Sequence, residues 1–134
     1  MKKQLDGVKL FHEAFKIPYK DKPTLIEDHE ATLRYELMKE ENEEYLDACM
    51  KDDLTEVADA LGDKLYILCG TILSHGMQHI IEDVFDEISK SNMSKLDRDG
   101  KPIINGEVFT DVSKPLGKVL KGPDFVKPDI AKFL

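Results

Sequence analysis

Apolar residues recur at helical rather than alternating spacing through most of the chain before Lys95, and the pattern predicts four helices. Val8, Phe11 and Phe15 mark a short first helix over residues 7–16. Pro18 and Pro23 bracket a loop, because proline cannot donate a backbone hydrogen bond and keeps its predecessor out of helical geometry. A long second helix is expected from about Thr24 to Met50. Asp53-Leu54-Thr55-Glu56 has the form of a capping box, so a third helix should start there and end near Ser74, before Gly76. A fourth should run from Gln78 to Met93. Beyond it, Asp97-Arg98-Asp99-Gly100, Lys101-Pro102 and Asn105-Gly106 are turn signals, and Pro115, Gly117, Gly122, Pro123 and Pro128 predict an irregular tail. A short helix from Pro128 to Phe133 and a small hairpin through Ile103-Ile104 and Val108-Phe109 are its expected local elements. The reading is one all-α domain, residues 1–134. It is a helical bundle of three long helices and a short N-terminal one (helical core about 7–95), with an irregular C-terminal tail over 96–134.

The second helix contains a contradiction. Ile26, Leu33, Leu37 and Ala48 form a stripe that should face a core, yet Glu40, Glu41 and Glu44 fall on the same stripe. Like charges at these spacings repel, and carboxylates are rarely buried unless paired or bound to a metal. On the third helix Leu54, Val57, Leu61, Leu65, Leu68 and Ile72 form the stripe expected to face the core. Glu56, Asp59 and Asp63 lie opposite, on a side that continues as Ile67, Gly70 and Leu73. Two neighbouring helices with acidic notches in apolar surfaces imply a shared site for a hard divalent cation, magnesium or manganese. Some of these acids have other uses. Glu56 has the position of the reciprocal partner in the Asp53 cap, Asp63 that of a partner for Lys or Tyr, and Glu36, Glu43 and Asp47 lie off the stripe as a solvated face.

Charge sharpens this picture. The net charge is −8, which argues against general nucleic-acid binding. Residues 27–59 hold thirteen acids against three bases, whereas residues 90–134 hold nine bases against six acids. Asn92 and Lys95 extend the fourth helix's stripe of Met77, Ile81, Val84, Phe85 and Ile88. They are candidates for contacts to a base or sugar and to a phosphate; helix C-capping and dipole compensation are the alternatives. Lys118 and Lys121, beside Gly117 and Gly122, are further phosphate candidates or plain surface lysines. Cys49 and Cys69 have no metal or redox spacing. No stretch is long and apolar enough to span a membrane, and the first residues lack a signal-peptide core, so a cytoplasmic protein is expected.

Glu40-Glu41-Asn42-Glu43-Glu44 followed by Glu56-Val57-Ala58-Asp59 resembles the EExxE…ExxD signature of the MazG-like all-α nucleoside triphosphate pyrophosphohydrolases, the superfamily that includes phosphoribosyl-ATP pyrophosphohydrolase. Phe11-His12-Glu13-Ala14-Phe15, Arg34, Ala58-Asp59-Ala60-Leu61-Gly62-Asp63, Ser91-Asn92-Met93-Ser94-Lys95 and Gly117-Lys118-Val119-Leu120-Lys121-Gly122-Pro123 carry the resemblance over roughly residues 8–130. It implies hydrolysis of a nucleoside or deoxynucleoside triphosphate to the monophosphate and pyrophosphate. It also implies Mg²⁺ or Mn²⁺ held by Glu41, Glu44, Glu56 and Asp59, with Glu40 as an additional ligand or water-orienting base. A homodimer or homotetramer is implied as well. Ala60 stands where many members have Glu, which leaves Asp63 without an assigned role. The competing expectation is a helical module on the same scaffold that binds nucleotide or metal without turnover.

Overall fold

Asp53 opens its helix as the capping signal requires, its carboxylate accepting the amides of Thr55 and Glu56 at 3.1 Å each. In the computed structural model, which describes residues 1–134, this begins α3, Leu54–Ser74; the others are α1, Lys2–Ala14, α2, Asp28–Met50, and α4, Ile81–Met93. The fold is all-helical, and a single 3₁₀ turn, Ala131–Phe133, stands where a last short helix was expected. Only α2 and α3 are long, at 23 and 21 residues; α1 and α4 have 13 each. α1 starts earlier than its aromatic spacing implied because Leu5, Val8 and His12 form its buried face, while Phe11 and Phe15 are exposed. α2 starts later than expected, after an extended Glu27. Residues 78–80 form a turn before α4.

The chain divides into two compact units, Met1–Ile81 and Glu82–Leu134. In the first, α3 packs against both α1 and α2. The α2–α3 pair is antiparallel: Arg34 bonds to Ile67 and Thr71, and further along α2 Asn42 meets Lys64 at 2.7 Å. On the α1 side, Leu5, Val8, Cys69, Ile72 and Leu73 form the core, with Tyr19, Met77 and Ile81 against it. The α1–α2 connection is tied to the end of α3 through Lys20 N–H to the Leu73 carbonyl (3.0 Å) and Thr24 N–H to that of His75 (2.9 Å). Gly76 has φ 69°, and a Cβ there would lie 2.1 Å from the Lys22 carbonyl oxygen, so glycine is required.

Both long helices are rotated from the orientation their stripes implied. The inward side of α2 carries Arg34, Leu37, Glu41 and Ala48, with Leu33 left 56% exposed. On α3 the leucines expected in the core lie outside: Leu54, Leu61, Leu65 and Leu68 are 81%, 49%, 43% and 44% exposed. Ala60, Ile67, Gly70 and Thr71 take the sheltered positions. Periodicity buries the most apolar stripe, but the side of α3 bearing Gly70 must accommodate a guanidinium. Arg34 is only 8% exposed; its Nε donates to Thr71 Oγ1 at 3.0 Å and its Nη2 to the Ile67 carbonyl at 2.9 Å. A Cβ on Gly70 would lie 2.5 Å from Arg34 Nη2 and 2.9 Å from His12 Nε2. All three helices therefore meet at His12, Arg34 and Gly70.

The second unit is organised by Asn105, which is 2% exposed. Its Nδ2 donates to the carbonyls of Asp111, Lys114 and Pro115 within 3.1 Å, and its Oδ1 accepts the Asp111 amide at 2.8 Å. The expected hairpin is absent, since Ile104 pairs instead with Val119 in an isolated antiparallel bridge. The backbone groups a hairpin would have paired find other partners, the Ile103 carbonyl accepting the Leu120 amide at 2.8 Å and the Phe109 carbonyl the Gly106 amide at 2.8 Å. Further on, Ser91 Oγ donates to the Val126 carbonyl at 2.7 Å, and Glu87 receives Lys132 at 2.8 Å. No helix in either unit is long and apolar enough to cross a membrane.

His12 gives the fold a pH signature. It is 1% exposed, and its Nδ1 has no hydrogen-bond partner of normal geometry. Burial first, and then the Arg34 charge, push its pKa below the ordinary imidazole value, against a smaller opposing effect of the Pro18 backbone. Below about pH 6.5 the unfolded chain gains a proton that the folded imidazole refuses, so stability falls with falling pH until the folded pKa is reached. Urea midpoints measured between pH 7 and pH 5 should decline more steeply for wild type than for His12→Gln. Parallel profiles would show that His12 does not contribute.

Candidate active site

The acids of α2 and α3 face one another because the antiparallel pairing places Glu41 and Glu44 opposite the first half of α3. Glu44, Glu56 and Asp59 line a cavity of about 470 Å³, together with Asp47, Lys51 and Asp53. Glu56 does not complete a reciprocal capping box: the Asp53 amide donates to the Ala48 carbonyl at 3.1 Å instead. The carboxylate of Glu56 is thereby left to the cavity. Glu40 and Glu44 are exposed rather than buried on the stripe, and Glu41 alone of the three is half-buried.

Glu41 is the electrostatic centre of the group. Its pKa is raised, first by burial and then by the charges of Glu44, Asp63, Glu40 and Asp59. Its Oε2 is buried without a hydrogen-bond partner. Asp63, which the motif left without a role, is therefore one of the acids pressing on Glu41. Its place one turn beyond Asp59 on the same side of α3 was the available signal. No Lys or Arg forms an ion pair with these acids. Lys51 is taken by Asp47 at 2.6 Å, and Lys64 by the Asn42 amide, with its Nζ 5.7 Å from the Tyr45 ring.

The carboxylates share a space without converging: no group of three His, Cys, Asp or Glu side chains is gathered to hold a metal ion. Mutual repulsion is a sufficient physical reason for such spreading. The donor set nevertheless suits a hard divalent cation, being all carboxylate oxygen, under-neutralised and with one buried oxygen lacking a partner.

In the second unit, Asn92 and Lys95 come together. They line a cavity of about 450 Å³ whose other walls are Met93, Leu96, Pro102 and Val119. The Asn92 side chain makes no capping bond; Ser94 Oγ donates to the Ser91 carbonyl at 2.6 Å at this helix end. Lys118 and Lys121 flank Val119 and are exposed, the latter with its Nζ 4.7 Å from the Phe125 ring centroid. Gly122 fixes this segment, since a Cβ there would fall 2.6 Å and 2.3 Å from the Lys95 and Leu96 carbonyl oxygens.

Comparison with known families now gives these features a context. Residues 8–92 match the phosphoribosyl-ATP pyrophosphohydrolase family model, and the chain belongs to that family. The match takes in every acid of the α2–α3 group and Asn92, and ends before Lys95, Lys118 and Lys121. The chain is also 34% identical over 91 residues to the uncharacterized protein L479 of Acanthamoeba polyphaga mimivirus. That alignment covers 65% of this chain and 36% of the viral protein, so it spans about a third of that relative's length.

Removing one carboxylate from the group should relieve repulsion in metal-free protein. Glu41→Gln should raise the melting temperature in EDTA by about 1–3 °C, the scale of a few like-charge pairs worth tenths of a kcal/mol each. Scanning calorimetry would check this, and a clear fall would show that Glu41 is held by a stabilising contact.

Proposed function

We propose that the protein hydrolyses a nucleoside or deoxynucleoside triphosphate to the monophosphate and pyrophosphate, with Mg²⁺ or Mn²⁺ as cofactor. The observation that carries the reading is Glu41, a carboxylate with a buried unpartnered oxygen, pressed by four other acids and met by no cation of the chain. Glu41, Glu44, Glu56 and Asp59 would hold the metal, and Asp63 belongs to the same charged set. When bound, the metal would supply Lewis-acid charge to neutralise phosphate oxygens. Glu40, exposed on the same helix, would accept a proton from water or hold it by hydrogen bonding.

Asn92, with a donor and an acceptor on one amide, suits the edge of a base or a sugar hydroxyl. Lys95, and outside its cavity Lys118 and Lys121, suit phosphate as mobile point charges. The family name supports cleavage at a pyrophosphate linkage. A homo-oligomer, dimer or tetramer, accounts for the exposed Leu54, Leu61, Leu65 and Leu68 stripe on α3, a row that a second copy would cover.

A panel of ribo- and deoxyribonucleoside triphosphates in ¹⁸O water tests the reaction. Monophosphate and pyrophosphate should form in equal amounts, with label in one of them, and EDTA should abolish turnover until Mg²⁺ or Mn²⁺ is added. Diphosphate with labelled orthophosphate would refute the bond assignment. Tight nucleotide binding without any product would favour a non-catalytic module.

A further inference from the structure

We propose that Arg34 is a positioning residue for the acidic site: it clamps α2 to α3 so that Glu41 is held opposite Asp59 and Asp63 despite their repulsion. The inference rests on the metal-site reading given above and adds to it a residue outside the carboxylate set. Arg34 and Glu41 lie on the same inward side of α2, seven residues or about 10 Å apart along the axis. Ile67 and Thr71, which Arg34 grips, lie on α3 one and two turns beyond Asp63. The clamp is therefore adjacent to the level at which the carboxylates push the helices apart.

Three features distinguish this contact from ordinary burial of a long side chain. The guanidinium makes two directed bonds to one helix, to a hydroxyl and to a carbonyl, and Thr71 Oγ1 itself donates to that same Ile67 carbonyl at 2.9 Å. The three groups thus form a closed hydrogen-bonded set. Gly70 removes the side chain that would otherwise strike the guanidinium, so Arg34 rests against the α3 backbone and sets the helix separation there. No carboxylate pairs with Arg34, so its charge is not spent on a salt bridge. The other side-chain hydrogen bond between these helices, Lys64 to Asn42, is exposed and joins a flexible lysine to an amide. A lysine in place of Arg34 would retain the charge and lose the fork.

The test is Mn²⁺ binding without nucleotide, read from loss of the free-ion electron paramagnetic resonance signal. Wild type would be compared with Arg34→Lys, Gly70→Ala and Thr71→Val, all well below their melting temperatures. Gly70→Ala leaves Arg34 in the chain but displaces it, and Thr71→Val removes only the hydroxyl. Mn²⁺ dissociation constants should rise about 10-fold or more for the first two and by a smaller factor for the third, the scale seen when supports of metal ligands are lost. The Mg²⁺ concentration for half-maximal activity should rise in step, with turnover recovering at saturating Mg²⁺. Should Arg34→Lys and Gly70→Ala fail to fold, Thr71→Val alone decides. Unchanged Mn²⁺ affinity in folded variants, with wild type binding normally, would overturn the positioning role and leave the proposed function standing. Absence of Mn²⁺ binding by wild type would overturn the metal reading itself.

Discussion

Repulsion among carboxylates across the α2–α3 contact is the constraint around which the first unit is arranged. Glu41 sits half-buried with Glu40 and Glu44 on its own helix and Asp59 and Asp63 on the next. Such a face opposes helix association, so the pairing must be secured elsewhere. Arg34 secures it from α2, Gly70 and Thr71 receive it on α3, and His12 closes the space from α1. The neutral imidazole follows from this arrangement, because a proton on His12 would place a second buried charge beside the guanidinium. The small residues on the sheltered side of α3 and the displacement of its leucines toward solvent follow as well.

Much of the fold was legible in the sequence, where local chemistry decides the outcome. Asp53 and Gly76 bound α3 as a cap and a left-handed stop, and both act through their own backbone surroundings. The acidic group was legible because Glu40, Glu41 and Glu44 broke an apolar stripe. The direction in which each helix faces was not. That depended on where Arg34 lies, and a lone arginine gives no periodic signal. Leu54, Leu61, Leu65 and Leu68 were placed inside by periodicity, which cannot distinguish a core from an exposed apolar row. The tail was misread for a related reason: Asn105 organises it through contacts six to ten residues away, and no spacing rule reports a buried amide.

The second unit has a cavity of different chemistry. Asn92 and Lys95 share a cavity with apolar walls, one of them Val119, and Gly122 lies against the Lys95 and Leu96 carbonyls nearby. The first unit thus holds an acidic cavity and the second a cavity of mixed polar and apolar lining. The family match runs through the acidic residues and ends at Asn92. Lys95, Lys118 and Lys121 lie beyond the matched residues.

Thermal unfolding without nucleotide tests most directly whether a divalent cation completes the acidic group. A cation that binds only the folded state stabilises it in proportion to RT ln(1 + [L]/Kd). The melting temperature should therefore rise steadily with Mg²⁺ or Mn²⁺ concentration, beyond any change produced by the same ionic strength of sodium chloride. A melting temperature that followed ionic strength alone, whatever the cation, would contradict the account.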